Sequence, residues 1–87
     1  MDWNVKFTKS ARKQLIKLDR AIQSAILDHL EDRVAKEPRR HGKALAGDKK
    51  GFWRYRVRDY RVICQLIDRE IIVLVLAVGH RKDVYER

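Results

Sequence analysis

The run Ile71-Ile72-Val73-Leu74-Val75-Leu76-Ala77-Val78 sets the tightest limit on what this chain can fold into. It is far short of the ~20 apolar residues that span a bilayer. Side chains of a strand alternate between two faces, so a run that is apolar at every position has no face to give to water. It belongs inside a sheet, as an inner strand covered on both sides. One face requires helices; the other requires a tail or a partner chain.

The helices are found earlier in the chain. Trp3-Asn4-Val5-Lys6-Phe7 alternates with period two, a first strand. Thr8 is placed to cap a helix with Ala11, Leu15 and Leu18 at helical spacing and Arg12, Lys13 and Lys17 outward. Asp19 is placed to cap a second, with the stripe Ile22, Ile26, Leu30 and Val34 beside Ala25, ending before Pro38. Pro38 to Gly51 reads as a basic, solvated connection holding Arg39, Arg40, His41, Lys43, Lys49 and Lys50, with Gly42 and Gly47 as turn points. Strands follow to Val57, from Tyr60 to Asp68, and, after a turn at Arg69-Glu70, through the apolar run. The expectation is a single domain over residues 1–87 of class α+β, ordered β-α-α-β-β-β. A helix hairpin packs on one face of a small, mostly antiparallel sheet.

Within that frame Phe52-Trp53-Arg54-Tyr55-Arg56-Val57-Arg58-Asp59-Tyr60-Arg61-Val62 reads as a tight hairpin. Trp53, Tyr55 and Val57 share one side, and Arg54, Arg56 and Arg58 the other. With Arg58-Asp59 as the loop, Val57 faces Tyr60 and Arg56 faces Arg61. Like charges directly opposite are destabilising, which points to an anion held there. Pairing Asp68 with Ile71 sets Arg61 opposite Val78 and brings His80 and Arg81 beside Arg61. Trp53, Tyr55, Tyr60 and Val62 read as core by pattern, with base stacking as the alternative use of the aromatics. Cys64, the single cysteine, reads as a small buried hydrophobe.

The charge balance agrees with an anionic partner. Twenty-one Lys and Arg against twelve Asp and Glu give a net charge of +9, which favours nucleic acid or an acidic protein. The N-terminus lacks a signal-peptide layout, so a cytoplasmic protein without membrane attachment is expected. No cofactor or metal is expected either: His29, His41, His80 and Cys64 lack zinc-ligand spacing, there is no glycine-rich phosphate loop, and Asp28 and Asp32 read as a solvated helix face.

Arginine grips phosphate with a planar, permanently charged fork but is a poor base. The proton acceptors near the cluster are His80, whose ordinary pKa suits the task, and Tyr85, whose phenolate neighbouring guanidinium groups would favour. With no metal ligands or nucleophile, the matching reaction is attack of a ribose 2′-hydroxyl on its own neighbouring phosphate. That leaves a 2′,3′-cyclic phosphate and a 5′-hydroxyl.

The segments Lys43-Ala44-Leu45-Ala46-Gly47, Trp53-Arg54-Tyr55-Arg56-Val57, Asp59-Tyr60-Arg61-Val62 and Val78-Gly79-His80-Arg81-Lys82-Asp83-Val84-Tyr85 resemble a RelE-type toxin of the RelE/ParE superfamily, across nearly the whole chain. The resemblance implies a microbial-RNase-like fold and a ribosome-dependent endoribonuclease that cuts mRNA in the A site. It also implies a RelB-like antitoxin that wraps the toxin, with a toxin–antitoxin hetero-oligomer as a further expectation. In the roles it implies, Arg54 and Arg56 bind and polarise the phosphate with Arg61, Arg81 assists the leaving group, and Tyr85 is the general base. His80 stands where the best-known member has another basic residue, and shares proton transfer as an alternative. Lys43, Lys49, Lys50, Arg58 and Lys82 are the expected further RNA-binding contacts. Two other readings stand beside this one: a ParE-like inhibitor of DNA gyrase, and an RNA- or protein-binding module without activity.

Overall fold

A computed structural model describes residues 2–45 and 51–80. Strand β1 (Asn4–Phe7) leads into helices α1 (Lys9–Ile16) and α2 (Arg20–His29). Thr8 caps α1: its Oγ1 accepts a hydrogen bond from Ala11 N–H at 3.0 Å, satisfying one donor that a helix start leaves open. Asp19 precedes α2 without a side-chain capping bond. Instead Gln23 folds back over the junction, its Nε2 donating to Leu18 O at 2.7 Å. α2 continues through a π-helical turn, Leu30–Val34, closed by a 2.8 Å bond from Ala35 N–H to Leu30 O. The wider turn lets Leu30, Val34 and Ala35 all face inward, and all three are buried.

Five strands form one sheet in the order β1-β5-β4-β3-β2, with β2 at Lys43–Ala44, β3 at Phe52–Val57, β4 at Tyr60–Ile67 and β5 at Ile72–His80. The apolar run is the inner strand its composition demands, antiparallel to β4 and parallel to β1. Lys43–Ala44 was expected in a loop and is a short edge strand on β3 instead; two residues are too few to show a period.

The helices cover the face presented by Tyr55, Val57, Val62, Cys64, Leu66, Val73, Val75 and Val78, which joins Ala11, Leu15, Ile26, Leu30 and Val34 in one core. Trp53 and Tyr60 pack against it half-buried. Burial pushes the Cys64 thiol pKa up, so it stays a protonated hydrophobe. Tyr55 is fully buried, its hydroxyl donating to Pro38 O at 2.8 Å. Arg39 grips Asp68 through two bonds of 3.0 and 2.9 Å, tying the segment after α2 to the turn between β4 and β5. Among the described residues no helix is long and apolar enough to cross a membrane.

The β4–β5 ladder departs from uniform pairing. From Ile67↔Ile72 to Cys64↔Val75 it follows the expected register, then slips by one residue, so that Ile63 faces Ala77 and Arg61 faces Gly79. Leu76 is the extra residue of a β-bulge. The expectation that Arg61 faces Val78 is thereby corrected.

Candidate functional site

The loop between β3 and β4 is the two-residue Arg58-Asp59 turn, with Val57 opposite Tyr60 and Arg56 opposite Arg61. Arg58 sits at φ 56°, the left-handed conformation that lets so short a loop follow the twist of its strands. Its carbonyl accepts a 3.4 Å bond from Arg56 Nε. Arg54 pairs with Ile63 on one side and with Lys43 on the other. Strand alternation therefore gathers Lys43, Arg54, Arg56 and Arg61 on the sheet face turned away from the helices.

Two guanidinium groups ~5 Å apart repel by about 1 kcal/mol in water and about 3 kcal/mol at an effective dielectric near 20. The register sets Arg56 and Arg61 directly opposite on the same face. An anion reverses the sign of the interaction, and a phosphodiester fits guanidinium forks in particular.

The bulge alters what arrives from β5. His80 stands opposite Tyr60, with the rings 5.5 Å apart and nearly perpendicular at 79°. That pair belongs to the face of Val57 and Val62, while Gly79 occupies the place across from Arg61. The expectation that His80 lands beside Arg61 is corrected: one extra residue in β5 exchanges the faces of everything beyond it. Arg58 lies exposed in the turn. Arg81, Lys82, Tyr85, Lys49 and Lys50 lie outside the described residues. Gln14 of α1 also reaches this end of the sheet, its Oε1 accepting a bond from Val78 N–H at 2.7 Å. Nothing in the helical pattern around Gln14 marks it for that task.

Tyr55 is no candidate base, because burial raises its pKa and its hydroxyl is already committed to Pro38 O. Among the described residues no three His, Cys, Asp or Glu side chains are grouped to hold a metal ion.

A concavity lies on the helix side, a groove of about 580 Å³ lined by Asp28, His29, Asp32, Arg33, Arg40 and His41 among others. Its charges are mixed, unlike the arginine face. His29 Nε2 is buried there with no hydrogen-bond partner among the described residues. Burial, then the charges of Arg33 and His41, hold the His29 pKa below its ordinary 6.5. A lowered folded-state pKa means that the unfolded chain binds the proton more readily. This contribution is therefore intact above about pH 6.5 and is lost as pH falls toward the folded value. Urea midpoints measured from pH 7.5 to 5.0 should fall further for the wild type than for His29→Gln; parallel curves would refute this account of His29.

The family model described as ParE toxin of type II toxin–antitoxin system, parDE, matches residues 5–85. Toxin RelG of Mycobacterium tuberculosis is 34% identical over 87 residues, covering the whole of both chains. A putative RelE-like toxin protein of Escherichia coli is 35% identical over 88 residues, covering 98% of this chain and 92% of its own. Among solved structures, the toxin–antitoxin complex RelBE2 of M. tuberculosis contains a chain that superposes with TM-score 0.87 at 32% identity, covering 95% of both chains. The isolated E. coli RelE toxin superposes with TM-score 0.77 at 25% identity, covering 98% of this chain and 86% of its own.

Proposed function

This chain belongs to the RelE/ParE superfamily of type II toxin–antitoxin toxins, and from that premise we propose that it is a ribosome-dependent endoribonuclease cutting mRNA in the A site. The observation that carries the reading is the register that sets Arg56 opposite Arg61 with Arg54 and Lys43 on the same face. A toxin acting only by binding a protein has no need of that set.

In the proposed reaction the 2′-oxygen of one ribose attacks the adjacent phosphorus, and the P–O5′ bond breaks. Arg54, Arg56 and Arg61 bind the non-bridging oxygens and stabilise their growing charge, the kind of preorganised electrostatics that lowers a barrier most. Tyr85, as its phenolate, takes the 2′-hydroxyl proton, and Arg81 stabilises the departing 5′-oxygen, which takes a proton from water to become the 5′-hydroxyl. The edge-on contact of His80 with Tyr60, on the face away from the Arg61 side chain, favours Tyr85 over His80 as the base. RNA is the required substrate, since DNA has no 2′-hydroxyl. A RelB-like antitoxin is the proposed resting partner, supported by similarity to toxins solved as RelBE complexes and by the +9 charge that an acidic segment would neutralise.

Mapping transcript ends on translated and untranslated copies of one message tests this. Codon-phased cuts with 5′-hydroxyl ends should appear in the translated copy alone. Equal cutting of both copies, or of neither, would end the ribosome-dependent reading. The matching family model is named for ParE toxins, which favours gyrase inhibition as the second reading. A DNA damage response with intact mRNA would select it.

A further inference from the structure

β5 loses a neighbour before it reaches the site. β1 ends at Phe7 opposite Val75, and the last backbone bond from that side is Thr8 N–H to Val75 O at 3.0 Å. Leu76, the bulge, comes next. From Ala77 to His80 the only strand paired with β5 among the described residues is β4. Among the described residues this strand end has one paired strand and a bulge at its root, so a slip back into uniform register breaks no second ladder. That slip would set Val78 opposite Arg61 and turn Val78 out of the core. Packing opposes it only weakly, because the run is apolar throughout and Ala77 would take the vacated core position.

α1 supplies what β1 does not. Gln14 Oε1 accepts the Val78 N–H at 2.7 Å, across 64 residues of sequence. The bond goes to the first core-facing residue after the bulge, so it forms only in the bulged register. Gln14 itself is exposed on α1, and no hydrophobic contribution explains its reach.

We propose that Gln14 is a positioning residue whose side-chain amide stands in for the missing strand and locks the bulge that sets Gly79, rather than Val78, across from Arg61. Gly79 sets no side chain across from Arg61; in the slipped register the Val78 isopropyl group would stand there, where a phosphate has to approach. The functional half of this inference rests on the arginine face being the mRNA site.

Two variants separate the roles. Gln14→Met has nearly the same length and no strong acceptor, and Gln14→Glu keeps an acceptor at the same reach. Both are good helix formers, so α1 should survive each change. The first measurement is independent of activity: hydrogen exchange at the Val78 amide, with the ring-to-ring contact of Tyr60 and His80 followed by NMR. Wild type and Gln14→Glu should protect the amide and keep the contact, whereas Gln14→Met should exchange at least about tenfold faster, as expected for an amide released to local opening. The second is single-turnover cleavage of mRNA on programmed ribosomes. Gln14→Met should cut about tenfold more slowly at saturating ribosome, in the range that small misplacements cost, with the half-saturating ribosome concentration unchanged and Gln14→Glu near wild type.

A Met variant that keeps amide protection, or one that loses it yet cuts at the wild-type rate, overturns the proposal. So does a Glu variant as impaired as the Met variant. If the wild type itself leaves translated mRNA intact, the nuclease reading fails, while the exchange data still decide whether Gln14 locks the bulge.

Discussion

Arg61→Ala should lower cleavage of translated mRNA by about two to three orders of magnitude, the usual loss when one preorganised donor to a developing oxyanion is removed. Arg61 is half-buried opposite Arg56, so its charge is less screened than that of a free surface arginine. Arg56→Ala should lose activity on the same scale with a different stability signature. Arg56 is exposed, and its one described bond is the long 3.4 Å contact to the Arg58 carbonyl. Removing it relieves a like-charge pair, so the melting temperature should hold or rise slightly at low salt, by at most about 1 kcal/mol of stability. Loss of cutting without loss of fold is the mark of a binding face kept at a cost in stability. Assays on purified protein with programmed ribosomes, beside thermal melts, check both halves; full activity in both variants would remove the arginine face from the mechanism.

The second large effect is on stability. A Cβ at Gly42 would lie 2.6 Å from two ring carbons of Tyr55 and 2.7 Å from the Arg54 carbonyl oxygen. Neither neighbour can give way easily. The Tyr55 ring is fully buried and tethered to Pro38 O at 2.8 Å, and Arg54 O is backbone in the middle of β3. Overpacking of this kind costs about 2–3 kcal/mol. In a domain of this size that corresponds to a fall of about 10–20 °C in melting temperature for Gly42→Ala. Gly51 offers the contrast: its φ is +85° with nothing within 4 Å of the added carbon, so Gly51→Ala should cost only about 1 kcal/mol through the backbone. Equal melting temperatures for the two variants would contradict the crowding at Gly42. Because the clash falls on the backbone of Arg54, the Gly42→Ala protein should also cut poorly below its melting point.

Much of this architecture was legible in the residues. The hairpin could be read because Trp53, Tyr55 and Val57 alternate with arginines, and a loop of two residues then forces Arg56 against Arg61. Thr8 as a cap, the buried Cys64 and the interior position of the apolar run follow from equally local rules. What could not be read has physical causes too. In Ile71–Val78 there is no polar residue to mark a face, so an extra residue at Leu76 leaves no trace in the pattern, and the placement of Gly79 and His80 was off by one. The parallel pairing of β1 with β5 joins the first and last strands in chain order, and no turn chemistry announces a partner so distant in sequence. Gln14 looks like any outward helix residue until the strand it serves is in place.

One consequence of placing β5 between β1 and β4 concerns time rather than space. During synthesis the chain emerges from its N-terminus, so β5 is made after both strands that flank it, β1 and β4. Joining β1 to β5 also closes the longest loop in the fold, a slow kind of contact. A half-made copy carries Arg54, Arg56 and Arg61 on a hairpin with no backing strand, and the arginine face is braced only when β5 arrives.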